Sequence, residues 1–286
     1  MPDSPLRAAR LTRRLVRLSG PEARPFLQDL VTNDVTPAAE DRAVYAALLT
    51  PQGKFVADFL VLGDGPEDLV LDVDAAAAPP LAQALARYRL RRPVGIAEAP
   101  WAAYALWGAP APQAPAPQAP APQAPAGARL LPDPRDPALG HRLYVEDPAA
   151  AAETLAALAA AEAPLAAYDA LRVAAAVPAT GVELTPDTYI LEAGFERLNG
   201  VDFRKGCFVG QEIVARMKHK TDLRKGLVRV AVEGPAPAPG AEILSQDGRP
   251  AGALYTTAGG EGLAQLRFDR ASGAMTSGEA VIRRLD

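Results

Sequence analysis

The sequence contains a single cysteine, Cys207, among its 286 residues. One cysteine excludes an internal disulfide, and one thiolate cannot by itself supply the several thiolates that ligate an iron–sulfur cluster. Any such cluster would have to be shared with a partner protein. The sequence therefore predicts no metal site of its own.

Long hydrophobic runs are also lacking. The Ala-rich stretches near Ala75 and Ala149 are short and are interrupted by Pro or Glu, so no membrane span is predicted. Five arginines between Arg7 and Arg17 could suggest a mitochondrial presequence, but a helix signal over 19–30 follows at once and leaves little room for a cleavable leader. We therefore expect a soluble, cytoplasmic protein that does not bind membranes.

The net charge of −4 hides an uneven distribution, because residues 197–225 carry eight lysines and arginines against three acids. A local basic patch in an acidic chain favours a defined anionic ligand or partner over general coating of nucleic acid. A solvated basic face is the alternative interpretation. RNA binding is not expected, because the patch lacks the interleaved aromatic residues that base stacking needs.

Hydrophobic patterning divides the chain into a mixed first part and an all-β last part. Strands are predicted at 45–49, 55–62 and 69–73. Helices are predicted over 19–30, where Ser19 to Glu22 has capping-box spacing, and also around Leu81, after Asp147-Pro148 and over 165–172. Five short β-prone runs follow Lys225 and indicate a small closed or sandwich-like β unit, at 227–232, 241–244, 253–256, 263–268 and 281–284.

A Pro- and Ala-rich segment at 109–126 has no periodic apolar face. We expect an extended, solvated insertion that is dispensable for function. The predicted domains are an α/β region of two subdomains at 1–108 and 127–220, this insertion, and a β-barrel at 221–286.

The segment Lys205-Gly206-Cys207-Phe208-Val209-Gly210-Gln211-Glu212 places the cysteine two residues after a lysine and between two glycines. A nearby ammonium group favours the thiolate. A short helix is predicted from Gln211 to Met217, and its N-terminal amides would also favour an anion near Cys207. The pattern is typical of a reactive cysteine, with Lys205 and Cys207 as the catalytic candidates. A buried cysteine that acts as a small hydrophobe explains the residues equally well.

This octapeptide resembles the signature of the YgfZ family, relatives of the glycine-cleavage T-protein that maintain iron–sulfur enzymes. The likeness continues through 26–35 (FLQDLVTNDV), 51–54 (PQGK), 168–172 (YDALR) and 262–267 (GLAQLR), and it covers nearly the whole chain except the insertion. The resemblance implies an α+β, T-protein-like fold with two α/β units around a central folate cavity and a small C-terminal β-barrel. It also implies tetrahydrofolate, or a one-carbon derivative, as cofactor.

Folate needs an aromatic or apolar face for its pterin, a carboxylate for the ring edge and a basic side chain for its glutamate tail. The resemblance places Tyr168 near the pterin, Arg13 where some relatives have a second aromatic, and Asp58 at an acidic pair whose other member is replaced by Ala57. Arg172 is the candidate for the tail. The alternatives are a core tyrosine at 168, a solvent-facing acid at 58 and a salt-bridged surface arginine at 172.

T-proteins resemble one another in a Thr-Gly-Glu segment that holds the pterin, whereas the corresponding residues here are Leu139-Gly140-His141-Arg142-Leu143. The missing carboxylate disfavours aminomethyl transfer. We therefore predict a folate-binding accessory factor for iron–sulfur cluster assembly, insertion or repair, whose partners are client enzymes or cluster carrier proteins. The alternative is a folate-dependent one-carbon transferase or demethylase that uses Asp58 as acid or base.

Overall fold

A computed structural model describes residues 6–108, 124–220 and 222–285 of the chain. The predicted insertion therefore lies outside the described residues over 109–123, and so does residue 221 at the predicted domain boundary. Two compact units are formed. The first comprises Met1–Leu27, Val35–Val44 and Phe59–Tyr168, and the second comprises Gln28–Asp34, Tyr45–Asp58 and Asp169–Asp286.

In the described part of the chain, two five-stranded sheets precede the C-terminal strands. The strands in chain order are β1 (Arg7–Arg10), β2 (Arg13–Ser19), β3 (Val44–Leu49), β4 (Phe55–Asp64), β5 (Asp68–Asp74), β6 (Gly95–Ala99), β7 (Ala102–Trp107), β8 (Ala128–Pro132), β9 (His141–Val145) and β10 (Ala161–Glu162). One sheet has the order β10-β1-β7-β9-β8, and the other has the order β3-β4-β5-β2-β6. Strands β3 and β7 are buried along their whole length, as their continuous apolar sequences require.

Five α-helices lie within the described residues. They are α1 (Ala23–Gln28), α2 (Ala78–Arg89), α3 (Ala151–Ala157), α4 (Leu165–Ala174) and α5 (Gln211–Lys220), with single 3-10 turns at Pro137–Leu139 and Pro148–Ala150. Helix α2 buries Ala78, Leu81 and Leu85 on one face. The Asp147 carboxylate accepts a hydrogen bond from the Ala149 amide, as the Asp-Pro signal predicted. None of the described helices is long and apolar enough to cross a membrane.

The C-terminal strands close into a barrel. They are β11 (Lys225–Glu233), β12 (Ala241–Leu244), β13 (Pro250–Ala258), β14 (Glu261–Arg267), β15 (Ala274–Ser277) and β16 (Ala280–Arg284), in the order β11-β14-β13-β12-β15-β16. Strand β11 pairs with both β14 and β16, which closes the ring. Val228, Val230 and Val232 alternate into its core. The predicted α+β class with a small C-terminal β-barrel is confirmed.

One predicted element is wrong in its bounds. The helix predicted over 19–30 forms only over Ala23–Gln28, because Ser19 ends strand β2 and pairs with Gly95 of β6. The capping-box spacing at Ser19 therefore does not cap a helix, since sheet pairing outweighs the local signal. The arginines between Arg7 and Arg17 likewise lie in or beside β1 and β2.

Candidate functional site

Cys207 lies in the second unit, in the loop that leads into α5, and its side chain is exposed. The loop is joined to the helix start because the Phe208 amide donates to Gln211 Oε1 at 3.2 Å. In α5 itself, Val214 is the buried residue, so this helix presents most of its surface to solvent. The thiol is therefore presented at a surface, and the alternative of a buried hydrophobic cysteine does not apply.

Two glycines let this loop contact the turn after β3. Gly210 has φ +82°, and a Cβ there would lie 2.6 Å from the Thr50 carbonyl oxygen. Gly53 has φ +73°, and a Cβ there would lie 2.8 Å from Ile213 Cβ. Both positions therefore require glycine, for backbone conformation and for space. The PQGK segment and the octapeptide, which are distant in sequence, pack directly on each other.

Lys205 ties the same loop to a third segment. Its Nζ donates to the backbone oxygens of Gln28 at 2.6 Å and Val31 at 2.5 Å, and it lies 5.4 Å from the Phe208 ring centroid. The Val209 amide adds a hydrogen bond of 3.3 Å to the Leu30 oxygen. The geometry of Lys205 is that of a tether for the cysteine loop. Its predicted role towards the thiolate stays a prediction.

The ammonium group of Lys205 is half-buried, which has an electrostatic consequence. Burial lowers its pKa from 10.5 to about 8, although the carboxylates of Asp34, Asp29 and Asp202 and the charge on Cys207 act in the opposite direction. Lys205 therefore loses its proton just above neutral pH.

Two polar residues of the FLQDLVTNDV segment make hydrogen bonds that stabilise the surroundings of the cysteine loop. Thr32 Oγ1 donates to the Gly200 oxygen at 2.6 Å, and Asn33 Nδ2 donates to the oxygens of Tyr45 at 2.8 Å and Asn199 at 2.7 Å. These bonds fix the chain that precedes the octapeptide. Sequence reasoning did not assign a role to Thr32 or Asn33, although their place inside a family-like segment was the available signal.

A cavity of about 460 Å³ adjoins the cysteine loop and α5. Its lining combines two carboxylates, one ammonium group and two aromatic rings, contributed by Asp202, Phe203, Lys205, Phe208, Gln211, Glu212, Val214 and Ala215. Among the described residues, no group of three or more His, Cys, Asp or Glu side chains could hold a metal ion. A cluster at Cys207 would need further ligands from outside the described residues.

The basic segment 197–225 is partly engaged in internal contacts. The Arg197 guanidinium donates to the oxygens of Ala175 and Ala176, while Lys218 pairs with Glu196 at 2.5 Å and Lys225 with Glu192 at 3.3 Å. These bonds reduce the charge that is available to a ligand. The patch is therefore not one continuous cationic surface.

Of the four residues assigned to folate, Asp58 and Arg172 belong to the second unit, and both are buried. Asp58 Oδ2 accepts a hydrogen bond from the Tyr45 hydroxyl at 2.9 Å, and Oδ1 accepts one from the Thr180 hydroxyl. Arg172 pairs with Asp169 at 3.0 Å, donates to the Val177 oxygen at 2.8 Å and lies 3.8 Å from Glu183. Neither the solvent-facing acid nor the surface arginine that we considered is observed.

Tyr168 and Arg13 belong to the first unit and end in a buried network of charges. Arg13 Nε lies 2.5 Å from Asp72 Oδ1, and the Tyr168 hydroxyl accepts hydrogen bonds from Arg135 at 3.0 Å and Arg142 at 3.2 Å. The Tyr168 ring lies 5.9 Å from that of Trp107. The structure thus places Arg13 and Tyr168 in one network, with their polar atoms engaged.

The centre of this network was missed in the sequence. Asp72 accepts from Tyr144 at 2.8 Å and lies 3.8 Å from Arg142, which also pairs with Asp133 at 3.0 Å. Burial raises the pKa of the Asp72 carboxyl, but the Arg13 and Arg142 guanidinium groups lower it more, so that it lies below its usual value. Charged residues inside the apolar strands β5 and β9 were the signal that could have revealed this cluster.

The LGHRL segment contacts strand β7 and contributes Arg142 to the buried charge network. Gly140 has φ +70°, and a Cβ there would lie 2.4 Å from the Leu106 oxygen of β7, so this position requires glycine. Arg142, two residues later, is 3% exposed and supplies a positive charge near the place where the T-protein segment has a carboxylate. Arg142 thus belongs to the buried ion-pair network, whereas His141, which stands where the T-protein segment has its carboxylate, is half-buried.

Two domain families match parts of the chain. The GCVT N-terminal domain model matches residues 12–116, and the model of the CAF17 C-terminal beta-barrel domain matches residues 224–284. The chain is also similar in fold to the glycine cleavage system aminomethyltransferase T from Bartonella henselae, with a TM-score of 0.77 and 16% identity over 98% of this chain and 84% of that one. At this identity the likeness concerns the fold alone.

Three relatives show higher identity. The mitochondrial iron–sulfur cluster assembly factor IBA57 of Mus musculus is 33% identical over 92% of this chain and 78% of its own length. The Homo sapiens protein of that name is 32% identical with the same coverage. The Neurospora crassa homologue is 33% identical over 79% of this chain and 54% of its own length.

The names of these relatives correct one prediction. All three are described as mitochondrial, so the cytoplasmic assignment made from the sequence is wrong. That assignment rested on a helix signal that begins at Ser19, and Ser19 instead ends strand β2. The arginines before it belong to the folded sheets and give no information on the compartment.

Proposed function

Because this chain belongs to the IBA57 family of iron–sulfur cluster assembly factors, we propose that Cys207 is the thiol through which it handles clusters for client enzymes. The assembly-factor role predicted from the sequence is confirmed at the level of the family. The octapeptide likeness to YgfZ proteins fits the same broader group. The finer assignment, to assembly, insertion or repair with a client enzyme or cluster carrier as partner, remains our proposal.

The exposed position of Cys207 is the observation that supports this role. A thiolate is a strong ligand for iron, and an exposed one is accessible to a second protein. The chain supplies one thiol, so a cluster at this position is shared cargo whose other ligands come from the partner. Lys205, Gly210 and Gly53 hold the loop in place, which limits the conformational entropy lost when the partner binds.

Tetrahydrofolate fits the four assigned side chains poorly. Both Asp58 oxygens accept internal hydrogen bonds, the Tyr168 hydroxyl accepts two from arginines, and Arg172 and Arg13 are ion-paired. A pterin or glutamate tail would have to displace these partners. We therefore assign no step to folate. Tetrahydrofolate binding remains a separate proposal that rests on the family resemblance. Calorimetric titration of tetrahydrofolate into wild type and Tyr168→Phe tests it.

The alternative of a one-carbon transferase or demethylase depends on Asp58 as acid or base. The Tyr45 and Thr180 hydroxyl groups both donate to this buried carboxylate, an arrangement that favours a structural role. No described contact favours the alternative. Methylene-tetrahydrofolate formation from a methylamine or aminomethyl-lipoyl donor would support it.

Complementation tests the proposed function. In a strain that lacks the gene, wild type should restore the activity of iron–sulfur enzymes, whereas Cys207→Ser should not. Ser272→Ala changes an exposed residue of the same unit and serves as the matched control. Immunoblots and circular dichroism verify that each variant accumulates and folds. Full restoration by Cys207→Ser would remove the cysteine from the mechanism.

A further inference from the structure

Leu90, at the end of α2 in the first unit, has a backbone conformation that leucine normally avoids. Its φ is 50° and its ψ is −110°. Helices commonly end on a residue with positive φ, but that residue is usually glycine, because a branched side chain is strained there. Among the described residues, the other non-glycine positions with positive φ are Ala159, Ala176 and Asn199, which carry smaller side chains.

The Leu90 side chain gains no burial in return for this strain. It is 84% exposed, compared with 43% for Leu165 and 38% for Phe268. A strained backbone conformation persists when other interactions compensate its energetic cost, and strained residues concentrate at functional positions. Since packing within the described chain does not favour leucine here, an external contact is the physical explanation that remains.

Four arginines lie within three residues of Leu90 in the sequence, and they divide into two pairs. Arg89 donates to the Val94 oxygen at 3.3 Å, and Arg92 lies 3.8 Å from Glu22 and 5.8 Å from the Phe26 ring. Arg87 and Arg91 are exposed and form no ion pair with any described residue. The helix dipole favours cations in the last turn, which accounts for Arg87 and Arg89 but not for Arg91 beyond the helix end.

A shallow cavity of about 690 Å³ lies beside the leucine and is lined by Glu22, Leu90, Arg91 and Arg92. The carboxylate of Glu22 is already balanced by Arg92. The cavity therefore offers an apolar contact at Leu90, with the uncompensated charge of Arg91 at its edge.

We propose that residues 87–92, here named the Leu90 tip, dock an acidic protein segment that carries a bulky apolar side chain. The apolar side chain lies against Leu90 in the cavity, and flanking carboxylates pair with Arg87 and Arg91. This interaction goes beyond the proposed function, because the tip belongs to the first unit and Cys207 to the second.

Other occupants fit the tip less well. A membrane surface would require more apolar area than one leucine, and Glu22 would oppose anionic headgroups. A nucleic acid would pair with the arginines, but base stacking needs exposed aromatic rings, and the neighbouring Tyr88 is half-buried. The combination of an exposed leucine with unpaired arginines matches an acidic amphipathic segment of a protein.

Peptide display on the immobilised full-length chain tests the proposal. Peptides selected on wild type, with counter-selection on Leu90→Gly, should carry Asp or Glu around a bulky apolar residue. By fluorescence anisotropy they should bind wild type at least tenfold more tightly than Leu90→Gly or the double variant Arg87→Glu/Arg91→Glu. The control is Leu285→Gly, which removes another exposed leucine and should leave affinity unchanged.

Thermal unfolding provides the second readout. Leu90→Gly should keep or raise the unfolding midpoint, because glycine adopts this φ without strain. A lower midpoint with unchanged peptide affinity would assign the leucine to stability and overturn the proposal. The proposal would also be overturned if the selected peptides lacked acidic residues or bound all variants equally. Leu90-dependent binding to phosphatidylserine vesicles or polyuridylate, in place of peptides, would overturn it as well.

Discussion

Removal of the Asp72 charge should destabilise the first unit more than any nearby surface change. Asp72 is fully buried, accepts from Arg13 and Tyr144, and lies 3.8 Å from Arg142. In Asp72→Asn, the guanidinium groups of Arg13, which is 13% exposed, and Arg142, which is 3% exposed, each lose one of their counter-charges. One-sided disruption of a buried ion pair typically costs about 3–5 kcal/mol.

We expect the lower end of that range, about 3 kcal/mol. Asp74 lies 4.0 Å from Arg13 and retains part of its ion pairing, and Asp133 still pairs with Arg142 at 3.0 Å. With a urea m-value of about 3 kcal/mol/M, this loss lowers the unfolding midpoint of the affected transition by about 1 M. Urea titrations at pH 7, followed by circular dichroism and tryptophan fluorescence, measure this shift.

Asp74→Asn is the matched control, since its side chain is 30% exposed at the same end of β5. It should cost less than about 1 kcal/mol. Combining Asp72→Asn with Arg142→Leu should cost less than the sum of the two single changes, because Asp72→Asn deprives Arg142 of one of its two counter-charges and the second change removes that cation. An Asp72→Asn protein within about 0.5 kcal/mol of wild type would refute the importance of this network for stability.

The same carboxylate gives a pH dependence with a definite sign. The pKa of Asp72 is lower in the folded chain than its usual 3.8, so its contribution to stability is present above that value. The contribution is lost as the pH falls below 3.8 towards the folded pKa. The stability difference between wild type and Asp72→Asn should therefore shrink between pH 4 and more acidic solution.

Two further predictions concern the cysteine loop. Burial lowers the pKa of Lys205 to about 8, so its reductive methylation, measured by mass spectrometry, should reach half of its maximal extent near that pH. Exposed Lys220 is the control. Identical pH profiles for the two lysines would contradict this prediction. The unfolded lysine binds its proton up to about pH 10.4, so Lys205 should make stability rise between pH 8 and that value. Gly210→Ala should lower the free energy of unfolding by about 1–3 kcal/mol. Gly206→Ala should lower it far less, because a Cβ there meets no atom within 4 Å. Equal decreases of the urea midpoint in the two variants would show that the contact with Thr50 is unimportant.

Some elements were predictable because one local signal dominates them. The apolar runs at β3 and β4 and the turn-punctuated runs after Lys225 form strands close to the predicted bounds. Strand β15 was missed, because Ala274–Ser277 is short and flanked by glycines, and its only apolar side chain of any size is Met275. Its pairing with β16, which completes the barrel, is a non-local property.

The cysteine at the centre of the candidate site was predictable from the sequence, whereas the contacts around it were not. Cys207 stood out by its uniqueness and by the octapeptide around it. The contact of Gly210 with the turn at Thr50, and the hydrogen bonds of Lys205 to Gln28 and Val31, join residues more than 150 positions apart. No periodicity or spacing reports such contacts.

The sequence by itself determined the α+β class and the broad group of iron–sulfur cluster assembly factors, and it singled out Cys207 as the candidate thiol, because a long motif and strong hydrophobic patterns are local properties. Only the tertiary structure decided that Lys205 serves as a tether and that Arg13 and Tyr168 end in a buried charge network around Asp72. It also decided that Leu90 is exposed in a strained conformation. Burial, ion pairing and backbone angles depend on which distant segments meet, and these are set by packing of the whole chain.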